Sequence, residues 1–374
     1  MHYRRFGKTD LNISTFSLGT MRCLASAEAA HSVLAAAVAQ GINHIETARG
    51  YGQSERFIGQ ALKTGIGRPR SELVLTSKLT PSPDADRIER QLDESLARLG
   101  IDYLDCLAIH GINTPEHLSQ VQTGMLGAIA NLLGDGRVRH VGFSTHGPLE
   151  VVLGAIATDA FEFINLHYYY FFQRLAPAVT LAHEKDMGIF IISPADKGGR
   201  LYTPPDKLHQ LCAPFDPLGL TYRWLLSDPR ITTLSIGPAV PQELAVPLQV
   251  ADQTDPLSEA EQQALARVAQ QQPSALGPDQ CSQCYQCLPC PEAIHIPEVL
   301  RLRNLAVAYD MTSFGQYRYR MFENAGHWFP GRKGSRCTDC GDCLPRCPEQ
   351  LDIPTLLRDT HGRLNGPERR RLWG

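Results

Sequence analysis

The sequence predicts a two-part α/β chain: a (β/α)8 TIM barrel followed by a small, helical, cysteine-rich domain. Three observations carry this. Eight short β-like runs alternate with helical runs over the first two-thirds of the 374 residues. No G-x-G-x-x-G follows the first of those runs, which argues against an open doubly wound sheet. Eight of the eleven cysteines fall in two tight clusters near the C-terminus. Parallel strands with a helix on every crossover close into a barrel once eight units are reached, using about 250 residues and leaving about 100 for the second part.

The elements follow in order. Thr15–Leu18 reads as the first barrel strand, and the preceding HYRRFGKTDLNIS suits a hairpin closing the barrel bottom. Ala30, Val33, Leu34, Ala37 and Val38 recur at helical spacing and stop at Gly41. His44–Thr47 is a strand, Phe57–Leu62 a helix, and Leu73–Leu79 a strand. Ile88, Leu92, Leu96 and Leu99 then share one helical face. Strand Tyr103–His110 leads into an apolar helix through Leu133. Next come strand His140–Ser144, a helix near Leu149–Ile156, strand Phe161–Tyr168, a helix near Leu175–Asp186, and strand Gly188–Ser193. The segment Asp196–Pro217, with its Gly-Gly and Pro-Pro pairs, suits a shaped loop. A helix around Leu218–Ser227, strand Ile231–Ile236 and a helix over Gln242–Leu248 complete the barrel. Leu257–Gln272 reads as a surface helix capped by Ser258, and QQQPSALGPDQ as a linker. The expected division is 1–272 for the barrel and 273–374 for the cysteine-rich domain.

Composition narrows the function classes. A net charge of -3 offers no bulk basic field for nucleic acid or an anionic membrane surface, so neither partner is expected. The basic run Arg369–Arg371 reads as a solvated tail. MHYRRFGKTDLN has no apolar h-region and no run is long enough to span a bilayer, so a reducing cytoplasm is the expected compartment. In that compartment clustered cysteines argue for metal rather than disulfides. Cys23, Cys106 and Cys212 stand alone and read as buried thiols.

The first cysteine motif is Cys281, Cys284, Cys287 and Cys290, followed by Pro291. The second is Cys337, Cys340, Cys343 and Cys347, followed by Pro348. The second matches the bacterial ferredoxin run C-x2-C-x2-C-x3-C-P, and the first is one residue shorter before its fourth cysteine. Structural zinc would use two Cys-x2-Cys pairs for four ligands; two sets of four, each followed by proline, suit 4Fe–4S clusters better. The segment resembles a two-cluster ferredoxin-like domain, of the helical type because Pro297–Tyr319 reads as helix. That resemblance implies two clusters with crossed ligation: Cys281, Cys284, Cys287 and Cys347 on one, and Cys337, Cys340, Cys343 and Cys290 on the other.

From Gly41 the chain reads GINHIETARGYGQSERFIGQAL, and LTSKL at Lys78, LAIHG at His110 and VGFST at Ser144 follow at the ends of expected strands. Together they resemble the aldo/keto reductase family over about Met1 to Val250. The resemblance implies a catalytic set of Glu46, Tyr51, Lys78 and His110 at the C-terminal face of the barrel, where this fold keeps its chemistry. Tyr51 would be the general acid toward a carbonyl oxygen, Lys78 would lower its pKa from about 10, Glu46 would hold Lys78, and His110 would orient the carbonyl. Glu46 stands where the family has Asp, about 1.5 Å longer, so some displacement of Lys78 is expected. Gly19, Thr20, Ser144, Asn165, Ser193 and Gly237 match positions near the nicotinamide cofactor. Ile192 replaces a stacking Tyr, and no Lys or Arg lies between Gly237 and Leu248 to meet a 2′-phosphate, so either NADH or NADPH, or neither, fits the sequence. Strand parity places His146 with Ser144 and His167 with Asn165 on the barrel's inner face.

The expected function is therefore an iron–sulfur oxidoreductase acting on a small carbonyl or alcohol substrate, exchanging electrons with a carrier of ferredoxin or flavodoxin type. The alternative is a redox-sensing or electron-carrier protein on a barrel that has lost carbonyl reduction.

Overall fold

Alternating runs of two-residue and 3.6-residue periodicity become discrete elements in the computed structural model, which describes residues 1–366. In chain order these are β1 (Tyr3–Arg5), β2 (Asn12–Ser14), β3 (Phe16–Gly19), α1 (Ala27–Ala39), β4 (His44–Glu46), α2 (Ser54–Thr64), β5 (Val74–Leu79), α3 (Ala85–Leu99), β6 (Leu104–His110), α4 (Pro115–Gln120), α5 (Leu126–Gly134) and β7 (Val138–Ser144). They continue with α6 (Leu149–Ala157), β8 (Phe163–Leu166), α7 (Ala176–Glu184), β9 (Gly188–Ile191), α8 (Asp206–Cys212), α9 (Pro217–Leu226), β10 (Thr233–Ile236) and α10 (Ala245–Val250). The last are α11 (Glu259–Leu276), α12 (Ile296–Tyr309), α13 (Thr312–Tyr319) and α14 (Ile353–Leu364). The Arg369–Arg371 run lies outside the described residues.

Strands β3 to β10 form a closed parallel barrel, shut where Leu234 of β10 pairs with Phe16 of β3. The β1–β2 hairpin is antiparallel, Tyr3 opposite Ser14. It plugs the bottom: Phe6 and Ile13 pack with Val74, Cys106, Ala108, Phe163 and Phe190. Gly188 shows how tight this plug is, since a Cβ there would come within 2.2 Å of the Phe6 ring. Helix α3 illustrates how the outer layer forms. Asp84 caps it by accepting from the Arg87 N–H, Gly100 ends it in a left-handed conformation at φ 65°, and Ile88, Leu92, Leu96 and Leu99 are buried. Each such side chain contributes about 1.5–3 kcal/mol by leaving water. The expected single helix before Leu133 is α4 and α5 joined by a π-helical stretch, Val121–Met125.

The chain divides into two compact units. The barrel unit is Met1–Gly198 with Thr221–Leu257; the second is Gly199–Leu220 together with the chain from Ser258 onward. The boundary thus falls before α11 rather than at 272/273. Two expectations are corrected here. The segment read as a loop after β9 contains α8, whose backbone starts just past Pro205. The stretch read as a linker is largely helical, because α11 runs through Pro273 to Leu276. A capping box at Ser258 and Glu261 starts α11, and its buried residues Ala264, Val268 and Leu276 keep one face inward past the proline. Burial of that face outweighs the loss of one backbone hydrogen bond near the helix end.

Within the second unit α12 is the central helix, buried along nearly its whole length. Its charged groups are paired inside: Arg301 with Glu298 at 2.6 Å, and Arg303 with Asp359 at 2.7 Å. Asn304 donates to the Cys281 carbonyl at 2.9 Å, and the Tyr309 hydroxyl donates to the Val268 carbonyl at 2.8 Å. The helix thereby ties the first cysteine loop to α11.

Candidate active site and cysteine cradles

Parallel register brings the family-like residues to one end of the barrel. Glu46 pairs with Thr76, Lys78 with Ala108, His110 with Ser144, and Ser144 with Asn165, so all sit at C-terminal strand ends. Tyr51 follows β4 in a turn. Lys78 Nζ donates to the Thr47 carbonyl at 2.9 Å and lies 3.4 Å from the Tyr51 hydroxyl. It also forms an ion pair with Glu46 Oε1, so the longer acid still reaches the ammonium. The Tyr51 ring meets His110 edge-on, with centroids 5.6 Å apart at 81°. Lys78 and Glu46 are 2% and 4% exposed.

Burial decides the electrostatics. It pushes the Tyr51 phenol up to about 12, opposite to the lowering by the Lys78 charge expected from the sequence. Burial first, and the Lys197 ammonium second, push Lys78 well below its ordinary value. Tyr51 is therefore a neutral phenol with its proton in place across the physiological range. Behind this group His44 bridges Ser17 and Thr76, both at 2.7 Å, and burial, helped by the Lys78 charge, lowers it to about 3.

The remaining expected site residues behave differently from one another. Gly19 ends β3 where a Cβ would meet Ser235 Oγ at 2.8 Å. The Thr20 hydroxyl is spent within the fold, bonding the Glu46 carbonyl at 3.0 Å and Ser54 Oγ at 2.6 Å. Ser144 Oγ accepts from Gly111 N–H at 3.0 Å. Ser193 adopts φ 54°, and its carbonyl accepts from Lys197 N–H at 3.0 Å. Asn165 is fully buried, and neither Oδ1 nor Nδ2 has a hydrogen-bond partner among the described residues. A buried amide left unsatisfied costs about 1–3 kcal/mol, and a ligand carboxamide is its complement in donor and acceptor.

Two features escaped the sequence reading. Arg22 reaches the end of β10, donating to the Gly237 carbonyl at 2.9 Å and to both Glu243 oxygens at 2.9 and 3.1 Å. The cation expected to be missing after the last strand thus comes from the loop after β3, already paired. Tyr169 extends the parity series Asn165, His167, Tyr169. Its hydroxyl donates to the Ile192 carbonyl at 2.5 Å and bonds His167 Nδ1, while His167 Nε2 lies 3.0 Å from His146 Nδ1.

In the second unit Cys281, Cys284, Cys287 and Cys347 line one solvent-open hollow. Cys290, Cys337, Cys340 and Cys343 line another. Left-handed residues Gln283, Tyr285 and Asp339 bend the two loops around them, and Gln283 N–H donates to Cys281 Sγ at 3.4 Å. Each hollow offers four thiols, a donor set that fits an iron–sulfur cluster.

Comparison with known proteins agrees with this geometry. The aldo/keto reductase family model matches residues 15–203, about half of the chain, and the chain belongs to that family. A 4Fe-4S dicluster domain matches residues 280–351. Morphine 6-dehydrogenase of Pseudomonas putida is 32% identical over 189 residues, which cover 50% of this chain and 60% of that protein. L-galactose dehydrogenase of Arabidopsis thaliana is 28% identical over 221 residues, covering 54% and 68%. The match to the morphine enzyme thus spans less than two-thirds of its length. An aldo-keto reductase of Bacillus halodurans in its holo form shares the fold, with TM-score 0.63, 23% identity, and coverage of 71% of this chain and 96% of that one. No helix among the described residues is long and apolar enough to cross a membrane.

Proposed function

We propose that this protein is an oxidoreductase for a small carbonyl or alcohol substrate, with Tyr51 as proton donor and two 4Fe–4S clusters held by the second unit. One observation carries the reading: a neutral, half-buried phenol stands between Lys78 Nζ and the His110 ring at the barrel mouth. Reducing a carbonyl requires a hydride equivalent at carbon and a proton at oxygen. Tyr51 holds that proton, and Lys78, gripped by Glu46 and Thr47, lies where it stabilises the phenolate left behind. His110 borders the same space and orients the carbonyl. Relatives named as dehydrogenases and reductases support the reaction class.

The unsatisfied Asn165 amide, with Ser144 beside it in register, would hold the carboxamide of a nicotinamide, which when bound would supply or take the hydride. The four-cysteine hollows support crossed ligation, Cys347 joining the first motif and Cys290 the second. Clusters held there would supply single-electron storage, which supports exchange with a carrier of ferredoxin or flavodoxin type. Eight cysteines set aside for cluster ligation suit a reducing cytoplasm.

One observation favours the alternative, a redox-sensing or electron-carrier protein on an inactive barrel: burial lowers the Lys78 pKa well below its ordinary value, which works against the charge that would support a phenolate. The two readings separate in one assay. Anaerobic protein is supplied with NADH or NADPH and a panel of aldehydes and ketones, wild type beside Tyr51→Phe. Turnover that depends on Tyr51 supports the enzyme; equal rates in both, or none in either, support the carrier.

A further inference from the structure

The two cysteine motifs differ in length by one residue, and the structure shows what that residue does. Written side by side, Cys287-Leu288-Pro289-Cys290-Pro291-Glu292 aligns with Cys343-Leu344-Pro345-Arg346-Cys347-Pro348-Glu349. Arg346 alone has no counterpart. Its side chain turns back to the shorter motif: Nη2 donates to the Pro289 carbonyl at 2.9 Å, and Nε donates to the Asp342 carbonyl at 2.8 Å. Pro289 immediately precedes Cys290, the cysteine whose spacing is short. The guanidinium therefore holds the strand that delivers Cys290.

Arg346 also sets a charge difference between the hollows. It lines the one formed by Cys290, Cys337, Cys340 and Cys343, as does Glu292. The other hollow is lined by Glu349, the counterpart of Glu292, and by no basic residue among those described. The two glutamates cancel in the comparison, leaving one positive charge on the Arg346 side. Nearby Arg358 is paired with Asp339 at 2.6 Å and contributes little. A fixed cation favours the more negative, reduced state of whatever group sits beside it, because reduction adds one electron's charge within its field.

We infer that Arg346 is a positioning residue that secures Cys290 and makes the second hollow's cluster the easier of the two to reduce. This rests on reading both hollows as 4Fe–4S sites. The test is redox potentiometry followed by EPR on the full chain, anaerobically reconstituted, as wild type, Arg346→Gln and Arg346→Lys. Two separate one-electron couples are expected in wild type. Arg346 is half-exposed, so solvent attenuates its field, and Arg346→Gln should lower the more positive couple by about tenfold in its reduced-to-oxidised ratio, about 59 mV. The other couple should stay in place, and Arg346→Lys should recover most of the shift. Loss of about four irons in Arg346→Gln, with iron and both couples preserved in Arg346→Lys, would equally support the assignment. Eight irons with both couples unmoved in Arg346→Gln, or a single unresolved couple in wild type, would overturn it. A wild-type chain that takes up no iron would overturn the cluster reading itself.

Discussion

Replacing Tyr51 with Phe removes one oxygen and its proton and leaves the ring that meets His110 at 5.6 Å. The substitution should therefore leave the fold intact and isolate the proton-transfer step. A positioned general acid is worth about 10²–10⁴ in rate, or about 2.7–5.4 kcal/mol of barrier. Lys78→Met acts on the same proton through the 3.4 Å contact, so the double variant should lose far less than the product of the single losses. The pH profile gives a second handle. Because burial raises the phenol to about 12, the folded protein keeps this proton up to about pH 11. Carbonyl reduction should show no alkaline fall attributable to Tyr51 below about pH 10. The same raised value makes folded stability drop between pH 10 and 12, where only the unfolded chain releases the proton. The assay is steady-state carbonyl reduction from pH 6 to 10 on both single variants and the double. An alkaline limb near pH 7–8 that vanishes in Tyr51→Phe would refute the neutral acid, and unchanged turnover in Tyr51→Phe would refute its role.

Other predictions follow from buried polar groups. His44 is neutral and lowered to about 3, so its contribution is fully present above about pH 6.5 and is lost as pH falls toward 3. The total is on the order of 4–5 kcal/mol, and denaturant unfolding of His44→Gln at pH 7.5, 5.5 and 4.5 should show a shallower acid loss than wild type; parallel losses would exclude it. Asn165→Leu removes an unsatisfied buried amide, so it should raise stability by about 1–3 kcal/mol while weakening nicotinamide binding, measured by thermal melts and titration. A variant that loses stability and keeps binding would reverse that assignment. With Arg22 already held by Glu243, NADPH should bind no more than about tenfold tighter than NADH, a difference of about 1.4 kcal/mol, and Glu243→Gln should shift the ratio toward NADPH. A hundredfold preference for NADPH in wild type would contradict this pairing.

The barrel was legible because each strand–helix unit announces itself through period and punctuation. Gly41 and Gly100 end helices, and the Ile88, Leu92, Leu96 and Leu99 stripe is the buried face of α3. Linker and loop readings went wrong where Pro marked a boundary that packing overrode: Pro273 lies inside α11, and α8 begins just past Pro205. Parity along β8 pointed to His167, but its contact with Tyr169 depends on the Ile192 carbonyl across β9, which no local pattern encodes. Arg22 was missed for a similar reason, being more than two hundred positions from Gly237 in sequence yet within hydrogen-bonding distance across the closed barrel. The direction of the Tyr51 shift is not legible in sequence, which shows a nearby lysine but not that desolvation at the barrel mouth outweighs its charge.

Whether a carbonyl-reducing barrel is fused to two cluster sites can be read from the metal content of the full chain. Protein purified without oxygen and analysed for iron, acid-labile sulfide and zinc should hold about eight irons and eight sulfides per chain, from two 4Fe–4S groups. Cys290→Ser and Cys347→Ser should each reduce that content, because each serves the hollow of the other motif. About two zinc ions per chain with no iron would contradict the two cluster sites.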